Sequence, residues 1–165
     1  MGMIANLLRV TQSELEDYLE DSSLLEDRIY DDEGDEQNLV DIDKSWDGII
    51  FLLTGQNCGS TNDHPLVEIL FSEQIIDVEQ NLGYSPAHYL TPKEVIELNN
   101  QISKITIADL KQKFDPEKMT ELGVYPIIWD EGEEAFDYLA NGFTDLQNVY
   151  AEAAKNGEAI ITFLS

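Results

Sequence analysis

Residues 159–164, Ala159-Ile160-Ile161-Thr162-Phe163-Leu164, form a nearly continuous apolar run near the end of the chain. A strand with one wet face alternates polar and apolar residues, so a run without alternation predicts a central strand covered on both faces. Before it, Phe136, Leu139, Phe143, Leu146, Tyr150 and Ala153 recur at spacings of three and four. That spacing predicts one amphipathic helix over 132–156, with Gly142 and Thr144 arguing for a break inside it. Further upstream, Val124-Tyr125-Pro126-Ile127-Ile128-Trp129 is apolar enough for a strand, confined by Pro126 to an edge or a partial strand. A strand, a long helix and a strand predict a βαβ crossover.

The other end of the chain adds a second strand. Met3 to Val10 is mostly apolar and stops at Thr11-Gln12-Ser13-Glu14, a Thr-x-x-Glu capping box that opens a helix over 12–21. A short helix over 23–30 follows. The stretch from Asp31 to Asn38 carries five carboxylates and no apolar anchor, which predicts an exposed loop. Trp46, Ile49, Ile50 and Leu53 repeat at i, i+3, i+4 and i+7, predicting a buried helix ended by Gly55. The segment from Gln56 to His64 has a loop composition, Pro65 opens a short helix, and short strands and turns are expected between Phe71 and Tyr89. Thr91-Pro92-Lys93-Glu94 combines a Thr cap, Pro at the first helical position and Glu at the third, so a helix begins at Pro92 and runs to about Ser103. Two or three short helices are chained here, the last opening at Asp115-Pro116 and ending before Gly123. The resulting expectation is mixed α/β: a single domain over residues 1–165, with a small mixed sheet that includes the N- and C-terminal strands, packed by several helices.

Composition narrows function by exclusion. The 165 residues hold 9 Lys plus Arg against 34 Asp plus Glu, a net charge of −25. A general basic surface for nucleic acid or anionic membrane is therefore excluded as a default. The hydrophobic fraction of 42% is too high for a disordered acidic chain. Cys58 is the single cysteine, so no internal disulfide supports an oxidising compartment. The start lacks the basic and apolar regions of a secretory signal, and the longest apolar run, Gly48 to Leu53, is far short of a membrane span. A soluble, cytoplasmic protein is the expectation.

Motifs for chemistry are sparse. Asp41-Ile42-Asp43-Lys44-Ser45-Trp46-Asp47 gathers carboxylates and a lysine at a helix start. It is no EF-hand, because the sixth position is Trp46 rather than Gly, and capping of free N–H groups accounts for the carboxylates. His64 and His88, with Cys58, match no zinc spacing. His88 is the better candidate for a role, flanked by Tyr84, Tyr89 and Thr91. Gly55 and Gly59 form no phosphate-binding pattern, and Trp46, Tyr84, Tyr125 and Trp129 read as core more readily than as a pocket. No cofactor and no metal is expected. The acidic excess is uneven, with 15 Asp plus Glu against three basic residues in the first 50. Such a field favours a basic partner, as in an immunity protein covering a nuclease or a mimic of nucleic acid.

Several blocks in order along the whole chain carry a resemblance. Met1-Gly2-Met3-Ile4, Asp41 to Trp46 running on to Leu53-Thr54-Gly55, and Gly83-Tyr84-Ser85-Pro86-Ala87-His88-Tyr89-Leu90-Thr91-Pro92 are three of them. With Asp115-Pro116, Met119, Val124-Tyr125-Pro126 and Trp129, the chain resembles the YfbM-like family of bacterial proteins. The resemblance implies a mixed α/β fold and a domain of unknown function. The chain departs from the family pattern at His88, where Arg often stands, and in its acidic first third. The reading that follows is an acidic protein-binding module. The alternative is a small-molecule binding protein or enzyme whose site gathers Asp41, Asp43, Lys44, Trp46, Tyr84 and His88, with Trp129 as a further candidate.

Overall fold

In the computed structural model, which describes residues 2–31, 38–58 and 63–165, the two terminal strands lie side by side at the centre of one sheet. β1 (Ala5–Val10) pairs antiparallel with β4 (Ala159–Leu164), in a register running from Ala5 opposite Leu164 to Val10 opposite Ala159. β2 (Leu39–Asp41) flanks β1 and β3 (His88–Leu90) flanks β4, both antiparallel, so the order is β2-β1-β4-β3. Successive strand residues point to opposite faces, and both faces are covered. Leu7, Ile160 and Leu164 join one apolar cluster, while Leu8, Val10, Ile161 and Phe163 join a second. All six residues of β4 are buried, as the unalternating run predicts.

On the second face lie α1 (Gln12–Glu20), opened by the Thr11–Glu14 capping box, and α2 (Ser23–Ile29). The first face carries α3 (Trp46–Thr54), α4 (Pro92–Ile102), α5 (Ile107–Lys113), α6 (Pro116–Leu122) and α7 (Glu133–Asn156). Thr91 and Glu94 close a capping box at the start of α4, and Thr106 and Asp109 close another at α5. α3 is apolar almost all round: Trp46, Ile49, Ile50, Phe51 and Leu52 are buried and Leu53 is half-buried. Gly55 ends it in the left-handed conformation at φ 82°, which a residue without Cβ adopts at little cost. A 3-10 turn over Pro65–Ile69 takes the place of the short helix expected after Pro65. Residues 32–37 and 59–62, which fall in the two predicted loops, lie outside the described residues.

Two expectations are corrected. Residues 124–129 form no strand, and the sheet is antiparallel at every pairing, so there is no βαβ crossover. The backbone groups that would feed a ladder have other uses. Pro126 has no N–H, Tyr125 N–H donates to the Asp47 carboxylate at 2.9 Å, and the Val124 carbonyl accepts from the Trp129 indole at 2.8 Å. The apolar content instead serves packing, with Trp129 fully buried and continuing into a 3-10 turn at Trp129–Glu131. α7 also runs unbroken through Gly142 and Thr144. Gly142 is there for close approach: a Cβ on it would stand 2.3 Å from Ser45 Oγ. Gly48 does the same from α3, where a Cβ would meet Leu139 at 2.5 Å. Thr144 turns its hydroxyl onto the Ala140 carbonyl at 2.9 Å, satisfying itself within the helix.

Candidate functional site

Where the chain leaves β2 it turns through Asp43–Ser45, a 3-10 turn that leads into α3. Asp43 sits at φ 52°, a left-handed conformation that short polar side chains tolerate. Its carboxylate accepts from the Tyr138 hydroxyl at 2.7 Å, and that phenolic oxygen accepts the Lys44 N–H at 2.8 Å. Burial and the bond to Asp43 hold the Tyr138 hydroxyl above its usual pKa, so it stays protonated and donating. The turn is thereby pinned to the second turn of α7.

Three hollows line up around this pin. The largest, about 400 Å³, is bounded by Lys44, Pro126, Ile128, Glu131, Glu134 and Tyr138. The next, about 200 Å³, shares Tyr138 and adds Asp41, Ile42, Asp43, Asn141, Gly142 and Asp145. A third, about 180 Å³, shares Asp145 and adds Arg9, Val40, Asn148, Val149 and Glu152. Together they run as a cleft along one side of α7, bounded by Lys44 and residues 126–131 at its start and by the β2 side of the sheet beyond. Glu134, Tyr138, Asn141, Asp145, Asn148 and Glu152 supply its helical wall at spacings of four and three, one stripe of α7. Six carboxylates line the cleft: Asp41, Asp43, Glu131, Glu134, Asp145 and Glu152. Against them stand Lys44 and Arg9, and Arg9 is occupied by Glu158 at 2.8 Å and the Asn38 side chain at 3.0 Å. The arrangement offers hydrogen-bond acceptors and negative potential to a cationic group.

Of the residues predicted for a site, Asp41, Asp43 and Lys44 are in this cleft and the other four are not in its walls. Trp46 and His88 do approach one another, each ring packing edge-on against Phe71, at centroid distances of 5.7 and 5.8 Å. The hydrogen bonds they make, however, serve the fold. Trp46 donates its indole N–H to the Met3 carbonyl at 2.8 Å, and the Tyr125 hydroxyl accepts the Met3 N–H at 2.9 Å. His88 Nδ1 lies 2.6 Å from the Ser72 carbonyl, which can only accept, so Nδ1 carries the proton and the ring ties β3 to the Phe71–Ser72 segment. Tyr84 is half exposed at the far end of β4, where its N–H donates to the Leu164 carbonyl. Trp129 is fully buried against Gly48.

Asp47, the last carboxylate of the same motif, is buried beneath the turn and accepts from the Cys58 and Tyr125 backbone N–H groups. Burial raises its pKa despite those bonds. Burial and the neighbouring Asp47 charge push the Cys58 thiol up to about 12, which disfavours the thiolate near neutral pH. Among the described residues no group of three or more His, Cys, Asp or Glu is placed to hold a metal ion. The α7 wall went unread in the sequence, although the signal was there: Glu134 to Glu152 is the polar complement of the apolar stripe that predicted the helix.

The model of a family described as Domain of unknown function (DUF1877) matches residues 1–163. The chain belongs to this family. The fold agrees with that of a solved protein of unknown function, YfbM from Escherichia coli. The TM-score is 0.78 at 17% sequence identity, over 99% of this chain and 100% of that one. The likeness is one of fold. Among curated proteins, none matches the chain. No helix among the described residues is long and apolar enough to cross a membrane.

Proposed function

We propose that this member of the DUF1877 family is an acidic protein-binding module that receives a basic partner in the cleft between α7 and β2. The observation that carries the reading is the gathering of six carboxylates, Glu134, Asp145 and Glu152 on one stripe of α7 with Asp41, Asp43 and Glu131 from the segments beside it, opposed by Lys44 as the one cation there not already engaged by a carboxylate among the described residues. A concave wall of one sign concentrates the field and steers an oppositely charged partner. The small-molecule alternative draws no comparable support, since the Trp46 indole N–H and His88 Nδ1 are both held by the chain's own backbone.

The test compares the wild-type protein with a Glu134→Gln, Asp145→Asn, Glu152→Gln variant. Both are immobilised and exposed to native cytosol at low salt and at roughly 0.5 M salt, where screening cuts the attraction to a few ångströms. A basic protein held by the wild type at low salt, released at high salt and lost from the variant supports the reading. Recovery of the same abundant ribosomal proteins by both would overturn it and leave the acidity as a solubility trait.

A further inference from the structure

We infer that the partner enters this cleft as a basic, extended segment that adds a fifth strand to the outer edge of β2, which no described residue pairs. The inference rests on the basic-partner reading and specifies how such a partner is held.

The two edges of the sheet are finished differently. At β3 the outer side is closed by the preceding segment: Ile75 bridges His88, Tyr89 N–H donates to the Gln74 carbonyl at 3.0 Å, and Ile76 N–H donates to the Ala87 carbonyl at 2.9 Å. At β2 the inner side is used. Ile42 N–H reaches the Ala5 carbonyl and the Asn38 carbonyl takes the Arg9 N–H, each at 3.0 Å, with Val40 opposite Leu7 between them. In an antiparallel ladder the residues between such pairs turn their backbone groups the other way. Leu39 and Asp41 therefore direct two N–H and two C=O groups away from β1, and no hydrogen bond from these groups is made to another described residue. Exposed edges are ordinarily blunted by shortness, a charged side chain, proline or a cover, and β2 has the first two. This one carries an aspartate and borders an acidic cleft, which deters an acidic strand and attracts a basic one.

Register links the edge to the cleft. Val40 lies on the α7 face of the sheet and walls the same hollow as Asp145 and Glu152. A strand laid outside β2 alternates its side chains, so every second one falls on that face. Lysine or arginine at those positions comes beneath the carboxylates of α7, while main-chain bonds to Leu39 and Asp41 supply the affinity common to strand addition. The three residues of β2 suit a segment of about three to five residues.

The probe is the capped peptide Lys-Val-Lys-Val-Lys-Val-Lys, titrated at low salt into the full-length protein labelled with nitrogen-15. At saturation the Leu39 and Asp41 amides should exchange with solvent about tenfold more slowly or less, because strand pairing buries both N–H groups. Asp41→Pro removes an outward N–H, no ladder bond, and the side-chain acceptor of the Asp43 N–H, whereas Asp41→Asn removes the charge alone. The proline variant should bind about tenfold more weakly than the asparagine variant, the scale of one or two lost hydrogen bonds. Binding that is weakened by the Asp145→Asn, Glu152→Gln double substitution but leaves both amides unprotected, with the Pro and Asn variants alike, overturns strand addition and keeps the basic-partner reading. Absence of binding, or binding indifferent to the double substitution, overturns both.

Discussion

Trp46 shows how one side chain serves two levels of structure. Its ring fills the interface of α3 with Phe71 and Tyr125, and its indole N–H holds the Met3 carbonyl that leads into β1. Trp46→Ala should cost about 3–5 kcal/mol in a denaturant melt, the range for a large buried aromatic. A loss below about 1 kcal/mol would contradict this placement. Beside it, Asp47 predicts a pH effect whose sign follows from burial. Because burial holds its folded pKa above the usual aspartate value, the folded state holds the proton more tightly than the unfolded chain. The stability linked to that proton is present below the ordinary carboxylate range and is lost as pH rises through the folded value. Wild-type stability, measured relative to Asp47→Asn, should therefore fall as pH climbs from about 4. A difference that stays flat or rises across that window would refute the assignment. The burial of Trp46 was legible from helical spacing. Its partner Met3, 43 residues away, was not, since a hydrogen bond across that distance exists only once the strand is docked.

The elements most readily read are those with their own punctuation. The Thr11 and Thr91 boxes mark the starts of α1 and α4 because the cap and the third residue satisfy each other's N–H groups locally. Thr91→Ala should accordingly cost about 1 kcal/mol by chemical denaturation; no measurable loss would show that the box is dispensable. Gly142 was misread for the opposite reason. Its meaning is not local: the helix tolerates glycine at modest cost so that Ser45 and Ile49 can sit against its backbone. Gly142→Ala should lower stability by about 1–3 kcal/mol through overpacking, although alanine is the better helix former. The exposed Asn141→Ala, one residue away, should change it by no more than about 0.5 kcal/mol. Thermal melts of the pair check this, and a stabilised Gly142→Ala protein would show that α3 and α7 can separate freely.

At the scale of the molecule the dominant quantity is the charge of −25. Mutual repulsion of so many carboxylates opposes the compact state and is screened by salt. Raising sodium chloride from low concentration to roughly 0.5 M should raise the melting midpoint, and a lowered midpoint would mean that ion pairs such as Arg9–Glu158 outweigh repulsion. Composition alone determined that charge, and pattern alone determined that the terminal segments are strands, that the last is central, and that helices begin at Gln12 and Pro92. These are properties of short windows, written in periodicity and capping. Strand direction and the gathering of a site are not. Val124–Trp129 looked like a strand because its residues are apolar, but Asp47 and Trp129 claimed its backbone groups, leaving β4 to pair antiparallel with β1. Asp41, Asp43 and Lys44 belong to one window, whereas the carboxylates facing them lie about 90 to 110 residues later. Only the docking of α7 across the sheet turned two separate polar stripes into one acidic cleft, because the field of a cleft depends on distances that no local pattern encodes.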